Sequence, residues 1–206
     1  MHISKGNITD FSDEFYIAEM EYLSPAKRTR ILRFTVENDK KLGILGDHLA
    51  REAVSVLSGV DISKIMIGAL EDGQPVIESP EGLDINISIS HSGSVAVAAA
   101  SDMPVGIDVE AVEEDGKIDE IMKILFAPSE ISYVNSDEGQ KTARFYEVWT
   151  KKEAFLKLKG TGFTGGNNPK QIDVMSLPSM YDARVIEEEN GYMISIVTVL
   201  KSSNNI

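Results

Sequence analysis

The sequence predicts an α+β protein in which helices pack on mainly antiparallel sheets. Apolar residues recur every three or four positions in 37–57, a spacing typical of helices, and a second long helix is predicted over 141–159. Apolar and polar residues alternate in 85–90 and 105–110, a spacing typical of strands. Both kinds of element are predicted on each side of residue 104. We therefore expect an N-terminal half over 1–104 and a C-terminal half over 105–206.

In the N-terminal half, the strands are predicted at residues 14–22, 64–70, 85–90 and 95–100. A first helix begins at Pro25 with Ser24 as its N-cap, because these positions favour proline and serine. The second and longest helix covers 37–57. Asp72-Gly73 predicts a turn, and the polar residues 91–94 predict the hairpin turn between the last two strands.

The C-terminal half is predicted to begin with a strand over 105–110 and to continue with helices. These helices cover residues 118–126, 128–134 and 141–159. The last of them ends at Gly160, a residue type common just after a helix. Strands over 172–175, 183–187 and 192–200 complete the prediction.

The composition indicates a globular protein, with 42% hydrophobic residues in a chain of 206. No apolar run approaches the ~18 residues that span a bilayer, which argues against a membrane protein. Residues 1–6 lack the apolar core of a signal peptide, which predicts a cytoplasmic location. The absence of cysteine excludes disulfides and thiolate chemistry, so any metal is expected to be a hard cation held by carboxylates.

The charge is negative overall but unevenly distributed. A formal charge of −13 argues against nucleic-acid binding. Residues 27–41 nevertheless hold six basic and two acidic side chains, a net charge of +4. Such a patch suits a compact anionic ligand, and a solvated helix face gives the same pattern. The basic residues are Lys27, Arg28, Arg30, Arg33, Lys40 and Lys41.

Two carboxylates are predicted to lie side by side on the strand over 105–110. Asp108 and Glu110 are two residues apart and so share one face, while Ile107 and Val109 turn to the other. Carboxylates at this spacing repel each other unless a cation lies between them, and Mg²⁺ prefers such oxygen ligands. The alternative is a strand end that continues into an exposed acidic loop.

A second candidate set lies on the helix over 141–159. Trp149, Glu153 and Lys157 are four residues apart and share one helix face. Glu153 is a candidate metal ligand or general base, and Lys157 a candidate phosphate ligand. An ordinary amphipathic helix with a Glu–Lys pair is the alternative. His91, predicted in a turn, is either a phosphate contact or a plain turn residue.

Together and in this order, these segments resemble the motifs of the 4'-phosphopantetheinyl transferase superfamily. Glu110 and Glu153 are 43 residues apart, a spacing typical of that family. The N-terminal segments at 23–28 and 45–47 resemble its long, two-half class, the surfactin-synthetase-activating enzymes. The matching motifs are Ser90-His91-Ser92, Gly106-Ile107-Asp108-Val109-Glu110, Phe126-Ala127-Pro128-Ser129-Glu130, and residues 149–157 followed by Gly160-Thr161-Gly162.

The resemblance implies a pseudo-dimeric fold of two similar halves in a monomeric chain, with coenzyme A bound in the cleft between them. It implies transfer of 4'-phosphopantetheine from coenzyme A to a serine of an apo acyl or peptidyl carrier protein, with release of 3',5'-ADP. Mg²⁺ or Mn²⁺ would be held by Asp108, Glu110 and Glu153. Residues 126–134 are one candidate for the surface that docks the carrier.

The resemblance also implies roles for individual side chains. Glu153, or a water on the metal, would accept the proton of the carrier serine. Lys157 and Lys152 would stabilise charge on the phosphates, and Lys27 and His91 would contact the 3'-phosphate of the ribose. Arg30 and Lys41 complete the set of residues predicted to bind coenzyme A.

Two positions depart from the family pattern and leave alternatives open. Leu42-Gly43 stands where the family often has an arginine followed by serine or threonine, and Gln74 stands where it has a lysine. A non-catalytic coenzyme A- or carrier-binding member of the same fold is therefore one alternative. A Mg²⁺-dependent phosphohydrolase is another, but residues 160–166 lack the lysine and serine of a P-loop. An acidic structural domain is the third.

Overall fold

The computed structural model describes residues 1–71, 73–114, 117–161 and 168–201. Helices and antiparallel strands are present as predicted, which confirms the α+β class. The chain divides into two compact units, Met1–Val105 and Gly106–Ile206. Among the described helices, none is long and apolar enough to cross a membrane.

The N-terminal unit is built around a three-stranded antiparallel sheet with the order β1-β5-β4. Strands β2 and β3 form a separate antiparallel pair. Three helices accompany these sheets. The elements are β1 (His2–Asn7), α1 (Asp13–Glu19), α2 (Pro25–Leu32), α3 (Glu37–Ser58), β2 (Met66–Ala69), β3 (Pro75–Ser79), β4 (Asn86–Ser92) and β5 (Val95–Ser101).

Helix α3 covers the central strand β5 and supplies much of the core of this unit. Leu45, Leu49 and Ala53 recur along one helix face and are almost completely buried. Every residue of β5 is buried, and its side chains are valine, alanine or serine, so the helix can approach the sheet closely. Gly59 ends α3 in the left-handed conformation, with φ 74°.

Two predictions for the N-terminal unit were wrong. Residues 14–22 do not form a strand, because Ser12 caps helix α1 by accepting a hydrogen bond from the backbone N–H of Phe15. The first strand is instead β1, which pairs with β5. The hairpin turn is also shorter than predicted, since β4 continues to Ser92 and pairs His91 with Ala96. Of the turn predicted at Asp72-Gly73, Asp72 lies outside the described residues and Gly73 has a φ of 88°.

The C-terminal unit has a three-stranded sheet with the order β6-β8-β7, on which helix α6 packs. The predicted helices at 118–126, 128–134 and 141–159 are confirmed within one residue, and Gly160 ends the last of them with φ 68°. The elements are β6 (Val105–Ala111), α4 (Ile118–Leu125), α5 (Pro128–Val134), α6 (Lys141–Lys159), β7 (Tyr181–Glu189) and β8 (Tyr192–Val199).

The strand predicted over 172–175 is absent, and these described residues form an irregular segment. Their backbone groups bond to side chains instead of to a neighbouring strand. The N–H of Val174 donates to Glu130 Oε1 over 2.9 Å, and the carbonyl of Ile172 accepts from the ammonium group of Lys152. These bonds supply partners that a β-ladder would otherwise provide.

Candidate functional site

Strand β6 and helix α6 touch through their backbones at Gly106. A β-carbon placed on Gly106 would lie 1.8 Å from the carbonyl oxygen of Ala154 and 2.7 Å from the backbone nitrogen of Leu158. Only glycine therefore fits at this crossing. Because the two backbones touch here, Asp108 and Glu110, which follow on β6, can reach polar side chains of α6.

The two predicted carboxylate motifs meet beside this crossing. Lys157 of α6 donates to Asp108 Oδ1 over 2.7 Å, and Asp108 is only 2% exposed. The indole N–H of Trp149, two turns earlier on α6, donates to Glu110 Oε1 over 3.2 Å. Side chains 39 and 49 positions apart in the chain are thus paired in space.

Glu153 lies on α6 between these two contacts, and its environment opposes ionisation. The pKa of this carboxyl is raised from its ordinary 4.5 to about 7, mainly by burial and next by the charge of Asp108. Lys157 acts in the opposite direction, and Glu110 adds a smaller increase. The carboxyls of Asp108, Glu110 and Glu153 are therefore close enough to repel one another.

A divalent cation suits this set of oxygen donors. Three mutually repelling carboxylates in a half-buried site are the kind of group that Mg²⁺ or Mn²⁺ stabilises. Among the described residues, no three histidine, aspartate or glutamate side chains are already arranged so that they could hold a metal ion. The ammonium group of Lys157 bonds to Asp108, and the indole of Trp149 bonds to Glu110.

Lys152 lies on a different face of α6, and its burial does not fit its predicted contact with phosphate. Its side chain has no exposed surface, and its ammonium group donates to both carboxylate oxygens of Glu130, over 2.7 and 2.6 Å. Glu130 also accepts from the N–H groups of Ala127 and Val174. Burial lowers the pKa of Lys152, and Glu130 partly offsets that effect. We assign this pair a structural role in tying α5 and residues 172–174 to α6.

The predicted phosphate ligand Lys27 belongs to a chain of alternating charges in the N-terminal unit. Its ammonium nitrogen lies 2.7 Å from Asp47 Oδ1, and Arg51 donates to the other oxygen of Asp47 over 3.0 Å. Arg51 also pairs with Glu19, so the chain links α2, α3 and α1. Asp47 is 1% exposed and Lys27 reaches the surface, with 15% of its side chain exposed. Asp47 thus fixes the direction in which Lys27 points.

The other predicted coenzyme A ligands of this unit occupy different places. Arg30 is exposed on α2, and His91 is an exposed residue of β4. Lys41 pairs with Asp13 of α1 over 2.7 Å and lies over the ring of Tyr16. Lys41 therefore faces α1, whereas Lys27 faces Asp47.

Sequence reasoning missed three residues that shape these sites. Gly106 was part of a motif, but its contact with Ala154 depends on the three-dimensional crossing. Asp47 is similar, since its separation of 20 positions from Lys27 gives no sign of an ion pair. Glu130 was also part of a motif, but its bonds to the backbone N–H of Ala127 and to the ammonium group of Lys152 were not predicted.

Two family models match consecutive parts of the chain. The first, described as 4'-phosphopantetheinyl transferase, N-terminal, matches residues 10–103. The second, described as the 4'-phosphopantetheinyl transferase superfamily, matches residues 104–195 and so includes both β6 and α6.

Curated proteins with these names are similar over most of the chain. The 4'-phosphopantetheinyl transferase Sfp of Bacillus subtilis (strain 168) is 35% identical over 70% of this chain and 63% of its own length. The 4'-phosphopantetheinyl transferase ffp of Bacillus subtilis is 30% identical over 82% of this chain and 72% of its own. The L-aminoadipate-semialdehyde dehydrogenase-phosphopantetheinyl transferase of Mus musculus is 29% identical over 79% of this chain and 56% of its own.

Proposed function

Because this chain belongs to the 4'-phosphopantetheinyl transferase superfamily, in its two-half class, we propose that it transfers 4'-phosphopantetheine from coenzyme A to a serine of an apo carrier protein. The chain spans less than two thirds of the first curated relative, at 63% of its length. The observation that carries the proposal is the meeting of the two carboxylate motifs at the crossing of β6 and α6.

The proposed reaction exchanges one phosphorus–oxygen bond for another. The hydroxyl oxygen of the carrier serine bonds to the phosphorus next to the pantetheine arm. The bond from that phosphorus to the bridging oxygen of the pyrophosphate breaks, and 3',5'-ADP leaves with the bridging oxygen. The serine proton passes to the carboxylate of Glu153.

Asp108, Glu110 and Glu153 would hold Mg²⁺ or Mn²⁺. When bound, the ion would neutralise charge on the pyrophosphate and orient the reacting oxygens. Lys157 has a second role in the proposal. Its ammonium group, which donates to Asp108, would also donate to a phosphate oxygen of the bound substrate.

The N-terminal unit contributes contacts to coenzyme A in this proposal. Lys27, held by Asp47, donates to the 3'-phosphate, and the exposed His91 and Arg30 add further donors. A lysine fixed by a buried carboxylate loses less side-chain freedom on binding than a mobile one, which favours affinity. Leu42 is 4% exposed and packs in the core, so no cation is available at the position where the family often has an arginine.

The experiment that tests the function is mass spectrometry of an apo carrier protein incubated with this protein, coenzyme A and Mg²⁺. We expect the carrier mass to increase by about 340 Da and the increase to disappear with EDTA, since the metal is required. A carrier whose acceptor serine is replaced by alanine is the control. Binding of coenzyme A without any mass increase across acyl and peptidyl carriers would support the non-catalytic alternative instead. A cytoplasmic location and a monomeric state are part of the proposal, and cell fractionation and sedimentation test them.

A further inference from the structure

Arg51 is a buried arginine of helix α3, with only 1% of its surface exposed. A buried charge is costly unless it is paired, and Arg51 has three partners. Its Nε donates to Asp47 Oδ2 over 3.0 Å, and its Nη2 pairs with Glu19 of α1. The centre of the Tyr22 ring lies 5.0 Å from the guanidinium carbon, a cation–π contact. Together these contacts fix the orientation of the guanidinium group.

The two carboxylate oxygens of Asp47 have different partners. Oδ2 accepts from Arg51, one turn later on α3, and Oδ1 accepts from Lys27 of α2 over 2.7 Å. Because the four-residue spacing on one helix sets the first contact, the arginine determines which oxygen is left for the lysine. Asp47 is only 1% exposed, so water does not compete for these oxygens. Arg51 therefore fixes the place at which the ammonium group of Lys27 is held.

The charges of this cluster alternate, and Lys27 is at one end of the series. In order, the series is Lys27, Asp47, Arg51 and Glu19. Asp47 is thus shared between two cations, which repel each other, so it holds each less strongly than it would hold a single one. The ammonium group of Lys27 has three N–H donors and bonds to Asp47 with one, and 15% of the side chain is exposed. Lys27 can therefore donate to an anion at the surface without leaving Asp47.

Lys41 has a different arrangement in the same unit. Its ammonium group pairs with Asp13 over 2.7 Å, and the side chain of Asp13 is 78% exposed. An exposed pair of this kind imposes little orientation, because water competes with the contact and both side chains keep much of their freedom. Of these two lysines, Lys27 is the one whose position is determined by buried charges.

We propose that Arg51 is a positioning residue for recognition of the 3'-phosphate of coenzyme A. It acts through Asp47, because it fixes the carboxylate that orients Lys27 and shares the charge of that carboxylate. Glu19 limits the second effect, since it draws on the charge of Arg51 in turn. The inference rests on the proposed function, in which coenzyme A is the donor. It adds two residues that act on the substrate only through Lys27.

The test measures the affinities for 3',5'-ADP and 5'-ADP by isothermal titration calorimetry, and their ratio gives the selectivity for the 3'-phosphate. Arg51→Met combined with Glu19→Gln removes one charge of each sign and leaves Asp47 to Lys27 alone. We expect this double variant to lose selectivity roughly five-fold, with the affinity for 5'-ADP unchanged. Arg51→Lys keeps a positive charge beside Asp47 and should lose less.

Glu19→Gln alone should act in the opposite direction. The cluster then gains one positive charge, so the selectivity should rise, roughly two-fold. A general loss of packing would not produce such a rise. Ser55→Ala is the control for lowered stability, because it removes a hydrogen bond to the carbonyl of Val60 near the end of α3 and should leave the selectivity unchanged. Circular dichroism checks that each variant is folded.

The same changes in a Lys27→Met background show whether Arg51 acts through Lys27. We expect no further effect on selectivity there, and an equal effect with and without Lys27 overturns the inference. An unchanged selectivity in the double variant, or an equal loss of affinity for both nucleotides, also overturns it. So does an unaltered protein that binds the two nucleotides equally. If the unaltered protein selects 3',5'-ADP but modifies no carrier, the proposed function fails, and the selectivities of the variants still decide the inference.

Discussion

The ammonium nitrogen of Lys157 lies 2.7 Å from Oδ1 of Asp108, so a side chain of α6 neutralises a buried carboxylate of β6. Burying Asp108 without a cation would carry a large desolvation penalty. The lysine therefore stabilises the site in the absence of metal.

Replacing the proposed base should stop transfer without unfolding the protein. We expect Glu153→Gln to lower the rate of carrier modification roughly 1,000-fold, because glutamine cannot accept the serine proton and is a poorer metal ligand. Glu147→Gln is the matched control on the same helix, since Glu147 pairs with Lys151 and Tyr133 instead of with the site. Full turnover of Glu153→Gln would show that the assignment of the base is wrong.

The raised pKa of Glu153 should make the metal-free protein less stable as the pH rises. The folded state binds the proton more tightly than the unfolded state, so this contribution to stability is complete below a pH of about 4.5. It declines as the pH rises through about 7. The difference corresponds to about 3 kcal/mol. Denaturant unfolding of Glu153→Gln in EDTA should lack this decline and exceed the unaltered protein in stability at alkaline pH. Parallel pH profiles for the two proteins would contradict the assignment.

Any side chain at position 106 should separate β6 from α6. We expect Gly106→Ala to destabilise the protein by about 3 kcal/mol or to prevent folding, because the added carbon meets the backbone of α6. The soluble fraction after expression and the unfolding midpoint measure this effect. Gly139→Ala is the control, since its added carbon would lie 3.5 Å from the nearest atom, Asp137 Oδ1. Near-equal stability of the two variants would mean that the two backbones are not in contact.

The Lys152–Glu130 pair should behave as a structural element and not as a phosphate ligand. Glu130→Gln or Lys152→Met leaves one charge buried and should reduce the free energy of unfolding by roughly 3–5 kcal/mol. Their combination should reduce it by less than the sum of the two single effects. Arg184→Ala, which breaks the exposed pair with Asp182, should lose less than about 1 kcal/mol. A stable Lys152→Met with a raised KM for coenzyme A would restore the phosphate assignment.

The proposed contact of Lys27 with the 3'-phosphate can be isolated with a substrate that lacks this group. Lys27→Met should raise the KM for coenzyme A about ten-fold, the value of one charge-assisted hydrogen bond. Its KM for 3'-dephospho-coenzyme A should stay close to that of the unaltered protein. Lys64→Met, which changes an exposed lysine of the same unit, is the control. Equal losses with both substrates would place Lys27 elsewhere.

The helical parts of the fold were predictable because their signals are local. Ser24-Pro25 and Gly160 define ends of α2 and α6 through short-range backbone preferences, and the three- and four-residue spacing defines α3. Helix α1 was misread as a strand because Phe15, Tyr16 and Ile17 are aromatic or β-branched, and such residues are enriched in strands. The strand at 172–175 failed for another reason, since its backbone partners are the side chains of Lys152 and Glu130.

The candidate site was predictable as a set of residues but not as an arrangement. The two-residue spacing on a strand predicted that Asp108 and Glu110 share a face. The four-residue spacing on a helix predicted the same for Trp149, Glu153 and Lys157. The pairing of these two faces depends on the crossing at Gly106, which no local pattern encodes. Lys152 shows the limit of such reasoning, because it is adjacent to Glu153 in sequence and yet is buried against Glu130.

The contact at Gly106 also limits how this protein can change over generations. The atoms that an added side chain would meet are the carbonyl oxygen of Ala154 and the nitrogen of Leu158, and every amino acid carries both. A second-site suppressor therefore cannot restore the fit by making a neighbouring side chain smaller. Random libraries at position 106 should return glycine alone, and α6 can be exchanged between relatives only together with the strand that it crosses.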